Sequence, residues 1–445
     1  MKIIIIGAEA AGASAAAKAK RLSPDSVVRV YEKSPIVSFG ACGLPYFIGD
    51  FFSDPDEMIS RTPEQLAHNG IDVRTRHEVL KIEPYRKVVV VKNLQTGAVT
   101  EDRYDRLLIA TGASPAVLSV PGTALSHVFT LKTLADGQAI RKSLSEPEIR
   151  HVAVIGAGYI GLEMADTLVS LGKKVSVFER CDSVLPGAFD ADVSAVIAQA
   201  LRARCSLYLN AGITALNGSR EGRVCSVSTT AGDYPVDAVI ISTGVHPADA
   251  LYRDLGMNVL DNGAIVTDEY GRTSLDDIYA AGDCAAVRYR STQAAVYLPL
   301  ATNANKAGRV AGENLAGGRR PYPGALGTAG LRIFSTEAAR TGITEQEARK
   351  QGLPSRTVTV QDKNHSNYLP GQDDVMLKLV YDGHSRQLLG AQTAGGAGSA
   401  LRINTLALAV WSSMRVDELA MVDFMYAPPF SRPWDIVNIA GSIAE

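Results

Sequence analysis

The residues that could do chemistry are few, and one stands apart. Cys42 lies in Ser38-Phe39-Gly40-Ala41-Cys42-Gly43-Leu44-Pro45-Tyr46, with no second cysteine near it in the sequence. A lone thiol cannot hold two electrons as an internal disulfide. It can do so only through a bond to an outside atom: the sulfur of a small thiol, a persulfide sulfur, or a peroxide oxygen. The reactive form is the thiolate, and an unperturbed cysteine titrates near a pH of about 8.5, so helix-end amides or phenols must support it. An inert buried thiol is the alternative reading of any single cysteine.

Two stretches have the residue pattern of a phosphate cradle. In the first, the β-branched run Ile3 to Ile6 enters Gly7-Ala8-Glu9-Ala10-Ala11-Gly12, an alanine-rich helix is predicted over 13–21, and a strand over 27–31 ends at Glu32, with Lys33 beside it. Glycines permit the tight turn and close helix packing, the helix N-terminus faces a pyrophosphate, and the acid bonds a ribose hydroxyl. Glu9 stands where the pattern prefers glycine. The second copy is complete: a strand at 151–155, Gly156-Ala157-Gly158-Tyr159-Ile160-Gly161, a helix predicted over 162–171, a strand at 174–178, and Glu179. An acid there favours an unphosphorylated ribose, hence NADH, while Arg180 can soften that preference toward NADPH. Either copy alone could be an ordinary strand–helix–strand unit.

Around these lie three further segments. Ala110-Thr111-Gly112 after the strand 106–109, and Ser242-Thr243-Gly244, read as chain crossings between two domains. Tyr279-Ala280-Ala281-Gly282-Asp283-Cys284 ends a strand at Gly282-Asp283, where the carboxylate could bond a ribityl hydroxyl and a later helix, opening near Ala301, could point its positive end at a flavin. Gly-Asp by itself is also a common turn.

Composition narrows the class. The chain has 445 residues, 46% of them hydrophobic, and a formal charge of −2, so it holds more than one core and offers no nucleic-acid surface. The five cysteines form no CxxC pair, which fits a reducing cytoplasm and predicts neither a disulfide framework nor a metal site. The apolar start at 3–6 is ended by Gly7, and no stretch approaches the roughly 18 apolar residues of a membrane span.

These motifs, with Met425-Tyr426-Ala427-Pro428-Pro429-Phe430-Ser431-Arg432-Pro433-Trp434-Asp435 near the end, resemble the single-cysteine branch of the pyridine nucleotide-disulfide oxidoreductases. That branch holds coenzyme A-disulfide reductases, NADH-dependent persulfide reductases, NADH oxidases and NADH peroxidases. The resemblance spans the chain. It implies an α/β fold with two Rossmann-like nucleotide-binding domains, for FAD (1–114 and 244–324) and NAD(P) (115–243), and an α+β C-terminal dimerisation domain (325–445) that makes a homodimer. Gly317 to Pro323 reads as the linker to it, with strands expected at 357–360 and 375–381 and a helix at 400–414. Phe47 stands where a two-cysteine reductase carries its second thiol.

Within the branch, oxidases and peroxidases carry a histidine on the first glycine loop; here positions 8–13 hold none, and Ala10 stands at the matching place. Coenzyme A-disulfide reductases carry tyrosines matched by Tyr426 and by Tyr368 in Asn367-Tyr368-Leu369-Pro370-Gly371, both implied to reach the partner subunit's Cys42. A phenol can hydrogen-bond a sulfur anion or protonate a departing thiolate. Taken alone, such tyrosines are more often core or interface residues. The resemblance also places the ADP part of coenzyme A near Lys18 and Arg21 on the first helix beside Ser14, with Ser38 toward the thiol arm and Asn303, Asn305 and Lys306 lining the groove; a solvated helix face is the equal alternative. Tyr159 would swing aside to admit the nicotinamide, and Glu163 would steer the hydride. The expected function is NAD(P)H- and FAD-dependent reduction of coenzyme A disulfide, its persulfide or a similar small disulfide through a Cys42 mixed disulfide. The alternatives are an NADH oxidase or peroxidase cycling a sulfenic acid and, more distantly, a non-catalytic NADH-binding flavoprotein. No rhodanese-like extension is expected after Glu445, which leaves disulfide and persulfide substrates open.

Overall fold

The computed structural model describes residues 1–444; Glu445, the end of the expected 325–445 domain, lies outside the described residues. The chain divides into two compact units. Met1–Phe47, Phe52–Ala116 and Val245–Ala325 form the first; Ile48–Phe51, Val117–Gly244 and Leu326–Glu445 form the second. The segments expected as separate nucleotide-binding (115–243) and C-terminal (325–445) domains therefore lie together in the second unit, apart from one or two residues at their edges.

The first unit is built on a parallel sheet in the order Ile278–Ala280, Arg106–Ile109, Lys2–Ile6, Val27–Glu32, Ile71–Thr75. Ile3, Ile4 and Ile5 are fully buried, as a β-branched run in a strand covered on both faces must be. One face is covered by two helices, Ala10–Leu22 and Ala301–Leu315, which touch backbone to backbone. A Cβ on Gly308 would stand 2.3 Å from Ala11 O, and one on Gly312 would stand 2.4 Å from Ala15 O. The alanine-rich composition of the first helix is the complement of that approach. A three-stranded antiparallel sheet, His77–Glu83, Val88–Asn93 and Val99–Arg103, is added to this unit.

Two sequence readings shift here. The helices expected at 13–21 and 162–171 begin three residues earlier, at Ala10 and Tyr159. Their last motif glycines, Gly12 and Gly161, fall inside the first turn, where low helix propensity is overridden by the need for close packing. The 317–323 stretch is packed rather than loose. Buried Asn314 accepts Arg320 N–H (2.7 Å) and donates to Tyr270 O (2.8 Å), and Tyr322 N–H donates to Glu269 O (2.7 Å).

The second unit carries a parallel sheet in the order Ser206–Tyr208, Lys174–Phe178, His151–Ile155, Ala238–Ile241, Val128–Thr130, with helices Tyr159–Ser170 and Ala191–Arg202 packed in the same unit. Its C-terminal part is an antiparallel sheet ordered Ala329–Ile333, Thr336–Gly342, Leu388–Gly395, Asp374–Asp382, Ser355–Lys363. Buried Lys378 joins the two parts, meeting Asp192 at 3.0 Å and Glu345 at 2.8 Å, with Asp190 at 3.4 Å. The helix expected over 400–414 is Ser399–Trp411. It stops early because Ser413 turns left-handed (φ 58°) and Met414 N–H returns to Ala409 O. Among the described residues, no helix is long and apolar enough to cross a membrane.

Candidate active site

In the first unit the chain leaves its central strand at Gly7, where φ is +100° and a Cβ would lie 2.2 Å from Ala110 O. Only glycine fits. Gly12 is as confined, its Cβ position 1.9 Å from Gly7 O. Ala8 N–H donates to Glu32 Oε2 (2.9 Å) and Ser34 N–H to Oε1 (2.8 Å), which fixes the carboxylate at the strand end. Each oxygen keeps a lone pair for a ribose hydroxyl. Lys33 beside it is exposed, and Glu9 takes the N-cap position without capping the helix. Buried Ala110 precedes Thr111, whose hydroxyl donates to Ala248 O (3.2 Å), and Gly112 faces open space. Gly282 lies against the first helix, its Cβ position 2.8 Å from Ala11 Cβ, and Asp283 follows, half-buried. Ala301 opens its helix and is exposed.

The thiol loop is tied to this cradle. Ser38, left-handed at φ 52°, donates its N–H to Ala8 O (2.8 Å); Gly40 N–H donates to Met58 O (2.8 Å). Cys42 sits in the single turn Ala41–Gly43 that runs into the helix Leu44–Ile48, and it is exposed, whereas Phe47 is buried. Cys284 is a different kind of thiol. It is fully buried against Ile109 O (3.4 Å) and Ala281 O (3.5 Å), and burial pushes its pKa up.

The residues expected along a coenzyme groove are not all alike. Asn305 donates to Ser14 Oγ (3.0 Å), and Arg21 and Lys306 are exposed. Lys18 is paired with Glu313 (2.9 Å). Asn303 departs from the expectation: its side chain is buried, donating to Leu298 O (3.4 Å) and accepting from Tyr322 (3.4 Å), because positions 303 and 305 fall on opposite sides of the helix. Sequence reasoning missed Tyr297, whose buried hydroxyl has no hydrogen-bond partner; burial first and Asp283 second raise its pKa. No sequence signal marks it.

The second unit repeats the first cradle's glycine turn and its two backbone N–H bonds to a strand-end carboxylate. Gly156 has φ +101° and a Cβ position 2.5 Å from Ser242 O; Gly161 would clash with Gly156 O at 2.0 Å. Ala157 N–H and Cys181 N–H each donate to the Glu179 carboxylate at 2.9 Å, and Glu179 is 7% exposed. Gly158 and Gly244 meet nothing within 4 Å. The turn is closed toward protein and open outward, the shape a pyrophosphate requires. Tyr159 and Ile160 start the helix; the Tyr159 hydroxyl is buried without a hydrogen-bond partner and burial lifts it to about 12. On the same helix burial, followed by the charge of Asp166, holds Glu163 up at about 7.

Also in the second unit, Tyr368 and Tyr426 meet hydroxyl to hydroxyl at 2.9 Å, 58 residues apart in sequence. They are 66% and 43% exposed. The hydrogen bond from Tyr426, then one from Ser366, draws the Tyr368 phenol below its ordinary value.

Against protein families, residues 1–299 match the pyridine nucleotide-disulphide oxidoreductase model and residues 328–436 match the dimerisation domain of the same family. The chain belongs to the pyridine nucleotide-disulphide oxidoreductases. This oxidoreductase is 37% identical over 445 residues to the NAD(P)H coenzyme A polysulfide/persulfide reductase of Pyrococcus horikoshii, covering 100% of this chain and 98% of the relative. It is 33% identical over 445 residues to an NADH oxidase of Enterococcus faecalis, covering 100% and 99%. The structure of a NAD-dependent persulfide reductase from A. fulgidus matches with a TM-score of 0.95 and 34% identity, over 100% of the oxidoreductase and 83% of that chain.

Proposed function

We propose that this enzyme uses NAD(P)H and FAD to reduce coenzyme A disulfide, coenzyme A persulfide or a similar small disulfide through Cys42. The observation that carries the reading is an exposed lone thiol on a loop bonded to the first glycine turn, with a buried phenylalanine at position 47. The Gly7–Gly12 turn with Glu32 would hold FAD, and the Gly156–Gly161 turn with Glu179 would hold the nicotinamide nucleotide. When bound, these two groups supply the electron pair that reduces a Cys42–sulfur bond.

The protein's own part balances with a disulfide RSSR. The Cys42 thiolate attacks one sulfur, the RS–SR bond breaks, a Cys42–SR bond forms and RS⁻ leaves. The Tyr368–Tyr426 pair supplies the proton. A phenol held below its usual value gives up a proton more readily than an isolated one; Tyr426 reprotonates it through the 2.9 Å bond and, being exposed, takes its own proton from solvent. Reduction of the Cys42–SR bond restores the thiolate and releases the second thiol, so one NAD(P)H and one proton convert RSSR to two RSH. The enzyme works as a homodimer in a reducing cytoplasm, with the tyrosine pair serving the partner subunit's Cys42.

Titration with NADH, followed by coenzyme A disulfide, tests this. Cys42→Ser should keep flavin reduction by NADH and lose disulfide turnover; normal turnover by that variant refutes the mechanism. Faster NADH consumption with O₂ or peroxide than with the disulfide would make the enzyme an oxidase or peroxidase instead.

A further inference from the structure

The phenol pair needs an organiser. Both tyrosines are exposed, and a single exposed hydrogen bond does not outweigh the entropy of ordering the two loops that carry it. The register of the two segments must come from beneath them. We propose that Arg402 is the positioning residue that holds the two tyrosine segments together; this rests on the function proposed above.

Arg402 is the one charged side chain of the helix Ser399–Trp411, and it is 13% exposed. A single charge in a helix of otherwise uncharged residues is visible in the sequence. Its Nη2 donates to Asn364 O (3.2 Å), four residues before Tyr368, and to Phe430 O (3.5 Å), four residues after Tyr426. The same nitrogen reaches Asp435 Oδ2 (2.8 Å), and Nε reaches Asp435 Oδ2 at 3.0 Å and Oδ1 at 3.3 Å. Nη1 donates to Gly398 O (3.1 Å). Asp435 is anchored in turn, accepting Val437 N–H (3.0 Å) at the start of the helix Ile436–Ile443. One rigid guanidinium thus holds the segment before one phenol, the segment after the other, and a fixed carboxylate. Ser366 N–H to Pro428 O (3.2 Å) adds a tie nearer the phenols, and the Arg432–Asp362 ion pair adds one farther along both segments. A lysine could keep the charge but not the fork.

The test is a mutant cycle on the holoenzyme with NADH and coenzyme A disulfide. Arg402→Lys should lower kcat roughly tenfold or more, since small misplacements of reacting groups are amplified. Flavin reduction by NADH should stay within about twofold of wild type, because Arg402 acts only through the phenols. In a Tyr368→Phe/Tyr426→Phe background, Arg402→Lys should cause no further loss. Asp435→Asn, which keeps the arginine, should behave the same way. Losses that multiply with the phenylalanine changes, or wild-type kcat in Arg402→Lys, overturn the positioning role alone. Wild-type turnover by the phenylalanine double variant refutes the proton-donor role of the tyrosines, and the positioning role with it.

Discussion

Glu179→Gln separates the two cradles most sharply. The Glu179 carboxylate accepts two backbone N–H groups at 2.9 Å, from Ala157 and Cys181, and is almost wholly buried. An amide offers one oxygen, so one of those N–H groups would face an NH₂ donor. Leaving a buried donor unsatisfied costs about 1–3 kcal/mol, and the surviving bond loses its charge assistance. The second unit should therefore lose about 2–4 kcal/mol of stability. The lost ribose acceptor removes a charged hydrogen bond of about 1.5–3 kcal/mol, which weakens NAD⁺ binding roughly 10- to 150-fold. FAD content should not change, because Glu32 serves the other cradle through its own bonds to Ala8 and Ser34. Calorimetric titration with NAD⁺, flavin absorbance of the purified protein and thermal unfolding read the three quantities. Glu32→Gln should give the mirror result, with flavin lost and NAD⁺ affinity kept. Unchanged NAD⁺ affinity in Glu179→Gln, or loss of flavin from it, refutes the assignment of the cradles.

Two other changes test the packing beneath the site. Glu163 is held at about 7 against an ordinary 4.5, so its protonated form adds stability that is whole below about pH 4.5 and is lost as pH rises to about 7. Glu163→Gln should flatten that fall and stabilise the protein above pH 7 by up to roughly 3 kcal/mol, read as Tm across pH; an unchanged profile refutes the burial argument. Gly308→Val should separate the helices Ala10–Leu22 and Ala301–Leu315, since even a Cβ would lie 2.3 Å from Ala11 O. Overpacking of this kind costs about 1–3 kcal/mol, and FAD content should fall with it; full flavin occupancy would show that the helix contact does not position the first turn.

The amino-acid order alone determined the parts that close within a few dozen residues. Gly12 and Gly161 were legible because the carbonyls of their own turns, Gly7 O and Gly156 O, leave no room for a Cβ, and Gly7 and Gly156 because the turn takes them to a φ of about +100°. The lone chemistry of Cys42 was legible because it depends on an absent second cysteine, not on distance. Helix starts at Ala10 and Tyr159 were misread, since propensity penalises the glycines that packing demands. Only the tertiary structure decided that Tyr368 and Tyr426 share a hydrogen bond, that Asn303 turns inward, that Glu163 is buried enough to keep its proton near neutrality, and that Arg402 reaches both tyrosine segments. Each of these depends on groups brought together from distant segments or on the burial they create, and no local pattern encodes that meeting.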